Sequence, residues 1–176
     1  ATGGDNPTLT LQQDYVVPES IPINGKITID LNGYTITYSG YGKAQLFFLV
    51  FIGNLTIAGK NGGKIKSEEK NLDNLINVAG GVLKITGGTY ENVNGMRAVL
   101  VTKSNSGKVG TMKMTGGTIT NCGILGESGG GGILVASGST LNMSGGVIKE
   151  NRAQTGGGIR VSGAKATISG GRIIKN

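Results

Sequence analysis

Histidine is absent from this chain of 176 residues, and so is tryptophan. Without an imidazole there is no Ser-His-Asp or Cys-His nucleophilic centre, and most zinc chemistry goes with it. A single cysteine, Cys122, excludes an internal disulfide. It follows Ile119 and Asn121 in a strand-like stretch and reads as a small buried hydrophobe. Proline occurs three times and aromatic residues make up 5%. The longest apolar run, Leu46 to Ile52, is far short of the ~20 residues that cross a bilayer, so no membrane span is expected. No segment carries an i, i+3, i+4, i+7 stripe longer than a turn, which makes helices scarce.

What the chain has in excess is glycine, 34 residues, without the every-third spacing of collagen. The glycines fall at fixed places in a repeated phrase: Leu83-Lys-Ile85-Thr-Gly-Gly, Met112-Lys-Met114-Thr-Gly-Gly, Leu141-Asn-Met143-Ser-Gly-Gly and Ala166-Thr-Ile168-Ser-Gly-Gly. Divergent copies stand upstream at Leu55-Thr-Ile57 and Ile27-Thr-Ile29. The second apolar residue recurs at 29, 57, 85, 114, 143 and 168. A period of roughly 25–30 residues marks stacked units, each unable to bury its apolar face alone.

Each unit holds three apolar segments, as in Ile133-Leu-Val135, Leu141-Asn-Met143 and Val147-Ile148. Apolar residues two apart are the period of a strand with one buried face. The Gly-Gly pair between the second and third segments permits positive φ and a sharp corner. Three strands of ~5 residues with their turns consume one period, so each repeat makes one coil and successive coils stack ~4.8 Å apart. Stacking predicts columns of like residues: Ile29, Ile57, Ile85, Met114, Met143, Ile168 in one, and Ile36, Ile65, Tyr90, Ile119, Ile148, Ile173 in another. The fold class is all-β: a single-stranded parallel β-helix of about six coils with three short strands per coil. An antiparallel sandwich would have no reason to repeat its sequence.

Three phrases carry a resemblance: Ile27-Thr-Ile-Asp-Leu-Asn-Gly-Tyr-Thr-Ile36, Met114-Thr-Gly-Gly-Thr-Ile-Thr-Asn121, and Gly130-Gly-Gly-Ile133 with its counterpart Gly156-Gly-Gly-Ile159. From Leu9 to Asn176 the chain resembles the right-handed parallel β-helix surface proteins of bacteria, within the pectate-lyase-like superfamily. The resemblance implies right-handed coiling, a secreted or cell-surface location, and an adhesin-like or stalk role.

Catalytic groups are hard to assemble on such a frame. Asp30 follows the inward Ile29, but the same slot downstream holds Ala58, Thr86, Thr115, Ser144 and Ser169, so no carboxylate pair forms there. Glu68, Glu69 and Asp73 are interleaved with Lys66 and Lys70 and read as a mixed-charge loop without metal-ligand spacing. Neither metal nor cofactor is expected, and an enzyme such as a polysaccharide lyase is the minor alternative. Candidate ligand contacts are Tyr34, Tyr38 and Tyr41, whose rings could stack on sugars, and the outward Lys84 and Lys113. Tyr34 and Tyr38 flank the inward Ile36 by two residues each, so alternation aims both rings at the core.

Charge is uneven. Residues 1–59 hold Lys26 and Lys43 against Asp5, Asp14, Glu19 and Asp30, whereas residues 60–176 hold 15 basic and 6 acidic side chains. A basic surface favours an anionic glycan or cell-wall polymer, while charge spread over several faces with no reading element argues against nucleic acid. The run 46–52 is apolar on both faces, which makes Phe47, Phe48 and Phe51 candidate contacts with another part of the chain or another subunit. The last coil ends at Asn176 without a cap, so Arg172 and Lys175 are candidate assembly contacts for end-to-end stacking into a filament. Residues 1–20 are assigned to an N-terminal segment or cap and 21–176 to the solenoid, read as part of a longer chain or an assembly. The function expected is that of a non-enzymatic extracellular adhesin or stalk.

Overall fold

The computed structural model describes residues 6–40, 46–67, 69, 72–123 and 129–176. Among them lie twenty strands and no helix. The strands fall into three sheets in which every pairing is parallel. Sheet A is built from Thr8–Thr10, Lys26–Asp30, Asn54–Ala58, Val82–Ile85, Thr111–Met114, Thr140–Met143 and Lys165–Ile168. Sheet B takes Tyr15–Val17, Thr35–Tyr38, Lys64–Ser67, Thr89–Asn92, Thr118–Thr120, Val147–Lys149 and Arg172–Ile174. Sheet C takes Ile21–Ile23, Leu46–Val50, Asn74–Ala79, Arg97–Thr102, Ile133–Ala136 and Ile159–Ser162. The chain thus visits A, B and C in turn, one strand each per coil: a parallel β-solenoid with three strands per coil.

Both columns expected from the repeat are present as register partners. In sheet A, Ile29, Ile57, Ile85, Met114, Met143 and Ile168 follow one another along the axis. In sheet B the series is Ile36, Ile65, Tyr90, Ile119, Ile148 and Ile173. Residues 8–17, within the segment set apart from the solenoid by sequence, carry a further coil: Leu9 pairs with Ile29 and Tyr15 with Ile36. The inner coils bury these columns completely, each aliphatic side chain contributing about 1.5–3 kcal/mol.

Two glycines turn the A–B corner for different reasons. Gly117 has φ 81°, a region that side-chain-bearing residues rarely enter. Gly116 instead lies so close to the preceding coil that a Cβ there would strike the Thr86 carbonyl oxygen. The Gly-Gly phrase therefore supplies one residue for direction and one for proximity.

Candidate functional site

The outer face of sheet A presents a straight row of polar side chains. Its central column runs Thr8, Thr28, Thr56, Lys84, Lys113, Asn142 and Thr167 in register. Lys84 and Lys113 are direct partners in adjacent coils, both exposed, so two ammonium groups project from strands about 4.8 Å apart. Neither joins an ion pair among the described residues. On sheet B the situation differs: Lys64 pairs with Glu91 at 2.8 Å and Lys149 with Glu150 at 3.2 Å, which removes part of the positive field there.

Beside the lysines runs the column of Asp30, Ala58, Thr86, Thr115, Ser144 and Ser169. The hydroxyls of Thr86, Thr115 and Ser169 donate to the carbonyls of Ile57, Ile85 and Met143 at 3.3, 3.5 and 3.5 Å, closing the corner. Asp30 accepts the Asn32 N–H at 3.1 Å and has no carboxylate neighbour in its column. Where Asn142 and Ser144 follow the longer Lys113, a shallow depression of about 210 Å³ forms, bounded by Thr115, Thr167 and Ser169 as well. Short polar groups beside an unpaired cation can receive an anion with hydroxyl neighbours.

Several candidate contacts lie elsewhere. Tyr38 is buried, and its ring packs on Phe47 with centroids 5.0 Å apart and planes inclined at 36°. Burial, and after it the Glu69 carboxylate, pushes the Tyr38 phenol above its ordinary value of 10.0. Phe47 in turn meets Phe48 at 4.4 Å, and both phenylalanines are fully buried. These three rings are therefore core, not ligand or subunit contacts. Alternation fails at Phe47 because the start of sheet C is covered on both sides. The equivalent Leu75 and Ala98 are buried as well. Tyr34 is half-buried against the core. Phe51 keeps an exposed ring (43%), and Arg172 and Lys175 are exposed. Tyr41 and Glu68 lie outside the described residues. No group of three or more His, Cys, Asp or Glu among the described residues could hold a metal ion.

One feature escaped the sequence reading: a polar ladder inside the B–C corner. Asn92, Cys122, Asn151 and Asn176 occupy the same turn in successive coils. The Asn92 N–H donates to Cys122 Sγ (3.2 Å), the Cys122 N–H to Asn151 Oδ1 (3.1 Å), and Asn151 Nδ2 to Asn176 Oδ1 (2.9 Å). The amides also donate to backbone carbonyls, Asn92 to Leu72 and Arg97, Asn151 to Ile119 and Asn176 to Ile148. These bonds satisfy backbone groups where the sheet hydrogen bonds end. Cys122 is buried as expected, and burial pushes its thiol from 9.0 up to about 12, partly opposed by the Asn92 bond. A thiol held neutral is no nucleophile.

No protein family, no curated protein and no solved structure matches this chain.

Proposed function

We propose that this solenoid is a non-enzymatic binding module for anionic polymers, a glycan or a cell-wall polymer, serving as an adhesin or stalk outside the cell. The observation that carries the reading is the Lys84–Lys113 pair, unneutralised and stacked in register on a row of threonine and asparagine. A polymer with regularly spaced negative groups can lie along that row, parallel to the solenoid axis. The basic excess of residues 60–176 draws it in at long range. The lone Asp30 in the neighbouring column supports binding over lyase chemistry.

Titration with alginate, at rising salt, tests the proposal. Affinity should fall steeply between about 50 and 200 mM salt, where the Debye length shortens towards ~8 Å. K84Q/K113Q should lose most of it. Salt-independent binding, or binding indifferent to both lysines, would refute the electrostatic reading, and release of unsaturated products would instead make it a lyase.

A further inference from the structure

The B–C corner changes character part-way along the chain. From Tyr90 to the ladder residue Asn92 is two steps, but from Ile119 to Cys122, Ile148 to Asn151 and Ile173 to Asn176 it is three. The last three coils thus carry one additional residue: Asn121, Glu150 and Lys175. All three adopt left-handed backbone conformations, with φ 53°, 56° and 54°. Glycine would enter that region more readily than glutamate or lysine, and glycine holds most of the other left-handed positions among the described residues, Asn32 and Ser137 being the exceptions. Here it keeps three long polar side chains, all exposed, in a row one coil apart.

A second row follows the ladder: Val93, Gly123 and Arg152. Between the two rows the ladder residues turn inward, and a groove of about 520 Å³ opens, with Cys122 in its lining. That volume lies within the range of small-molecule sites, about 300–1,000 Å³. In the middle of the groove the backbone comes so close to the next coil that only glycine fits at position 123: a Cβ there would collide with the Arg152 carbonyl. The charges within are not balanced. Glu150 is engaged by Lys149 at 3.2 Å and by the Thr120 hydroxyl at 3.4 Å, whereas Arg152 and Lys175 have no ion-pair partner among the described residues. The groove therefore offers two free cations, a carboxylate and an amide as hydrogen-bonding groups, and an exposed valine at its edge.

We infer that this groove is a recognition subsite for a single acidic sugar unit, distinct from the flat lysine row of sheet A. The inference rests on the reading of the chain as an anionic-polymer binder and adds where one unit is held. Arg152 and Lys175 take the negative group, the guanidinium being suited to bidentate contact with carboxylate or phosphate. Asn121 and Glu150 accept and donate at neutral hydroxyls, and Val93 packs on the apolar face of the ring. The open row of sheet A, shallow even beside Lys113, holds a long polymer chiefly through its summed charge. A concave site can hold a short ligand.

Chain length of the probe separates the two sites. With isotopically labelled protein, a mannuronate trisaccharide should shift the amide resonances of Asn121, Gly123 and Arg152. R152Q/K175Q should lose at least tenfold in affinity, while K84Q/K113Q leaves trisaccharide binding unchanged and weakens only long alginate. A glycerol phosphate trimer run in parallel distinguishes carboxylate from phosphate as the anion preferred. The inference is overturned if neither short probe binds while long alginate does, or if short-probe binding survives R152Q/K175Q with the fold intact by circular dichroism. Failure of long alginate as well would instead remove the broader binding reading.

Discussion

Asn151 and Asn176, one coil apart, are bonded side chain to side chain: Asn151 Nδ2 donates to Asn176 Oδ1 at 2.9 Å, and the same oxygen accepts the Asn151 N–H at 3.1 Å. Asn151 passes the pattern upstream by accepting the Cys122 N–H on its own Oδ1. Its amide thus serves two neighbouring coils at once.

Replacing Asn151 with alanine should cost about 2–4 kcal/mol, because the Cys122 N–H, the Ile119 carbonyl and the Asn176 oxygen all lose a partner in a buried corner. Asn151→Asp, close in shape, should cost more at neutral pH, since it buries a charge whose neighbours among the described residues are the Asn176 amide and backbone groups, not a cation. Urea unfolding midpoints check both; equal stability of wild type and N151A would show that the ladder contributes nothing net.

The Cys122 thiol sets a pH dependence. Its folded value, about 12, lies above its ordinary 9.0, so between those limits the unfolded chain loses a proton that the folded chain keeps. Its contribution is complete below pH 9 and declines as pH rises towards 12, by about 1.4 kcal/mol per pH unit at most. Tyr90, also buried and raised from 10.0, adds a second decline starting one unit higher. Between pH 9 and 10 the stability of Cys122→Ala should therefore be nearly flat where that of wild type falls. Native Cys122 should also resist disulfide reagents until the chain unfolds.

Phe47 and Phe51 stand four residues apart in one apolar run, yet their environments predict different outcomes. Phe47→Ala should lose about 3–5 kcal/mol, as for any fully buried aromatic ring, and Phe51→Ala less than about 1 kcal/mol. Thermal melts of the two variants would distinguish them. A large loss at Phe51 would mean that its ring is covered in solution.

On sheet A, Lys113→Glu replaces a like-charge pair with an opposite one across direct register partners. A gain of about 0.2–1 kcal/mol is expected at low salt, fading as salt is added. The same change should weaken alginate binding. Stability and binding moving in opposite directions is the signature of a surface kept for recognition.

The solenoid and its two principal columns were legible because the inward position repeats the same residue type in nearly every coil, as Ile29 and Ile57 do. The first coil was harder to see. Thr8-Leu-Thr10 lacks the Gly-Gly that follows the later copies, and only its pairing with Thr28, Ile29 and Asp30 reveals it. The ladder was invisible for a related reason. Its members differ in type, Asn92 then Cys122 then Asn151, so only geometry shows that a thiol stands in an asparagine's place. The additional corner residues could have been found by comparing the spacing from Tyr90 to Asn92 with that from Ile119 to Cys122.

Periodicity by itself determined that the chain coils, how often, and which side chains meet along the axis, because a parallel stack forces like positions into contact. Only the tertiary structure decided what happens at the corners. There a side chain's direction depends on backbone conformation and on the coil above, so Asn121, Glu150 and Lys175 line up beside a groove, just as the cover over the start of sheet C decides that Phe47 is buried. Strands obey a local alternation that sequence records; corners answer to neighbours nearly thirty residues away.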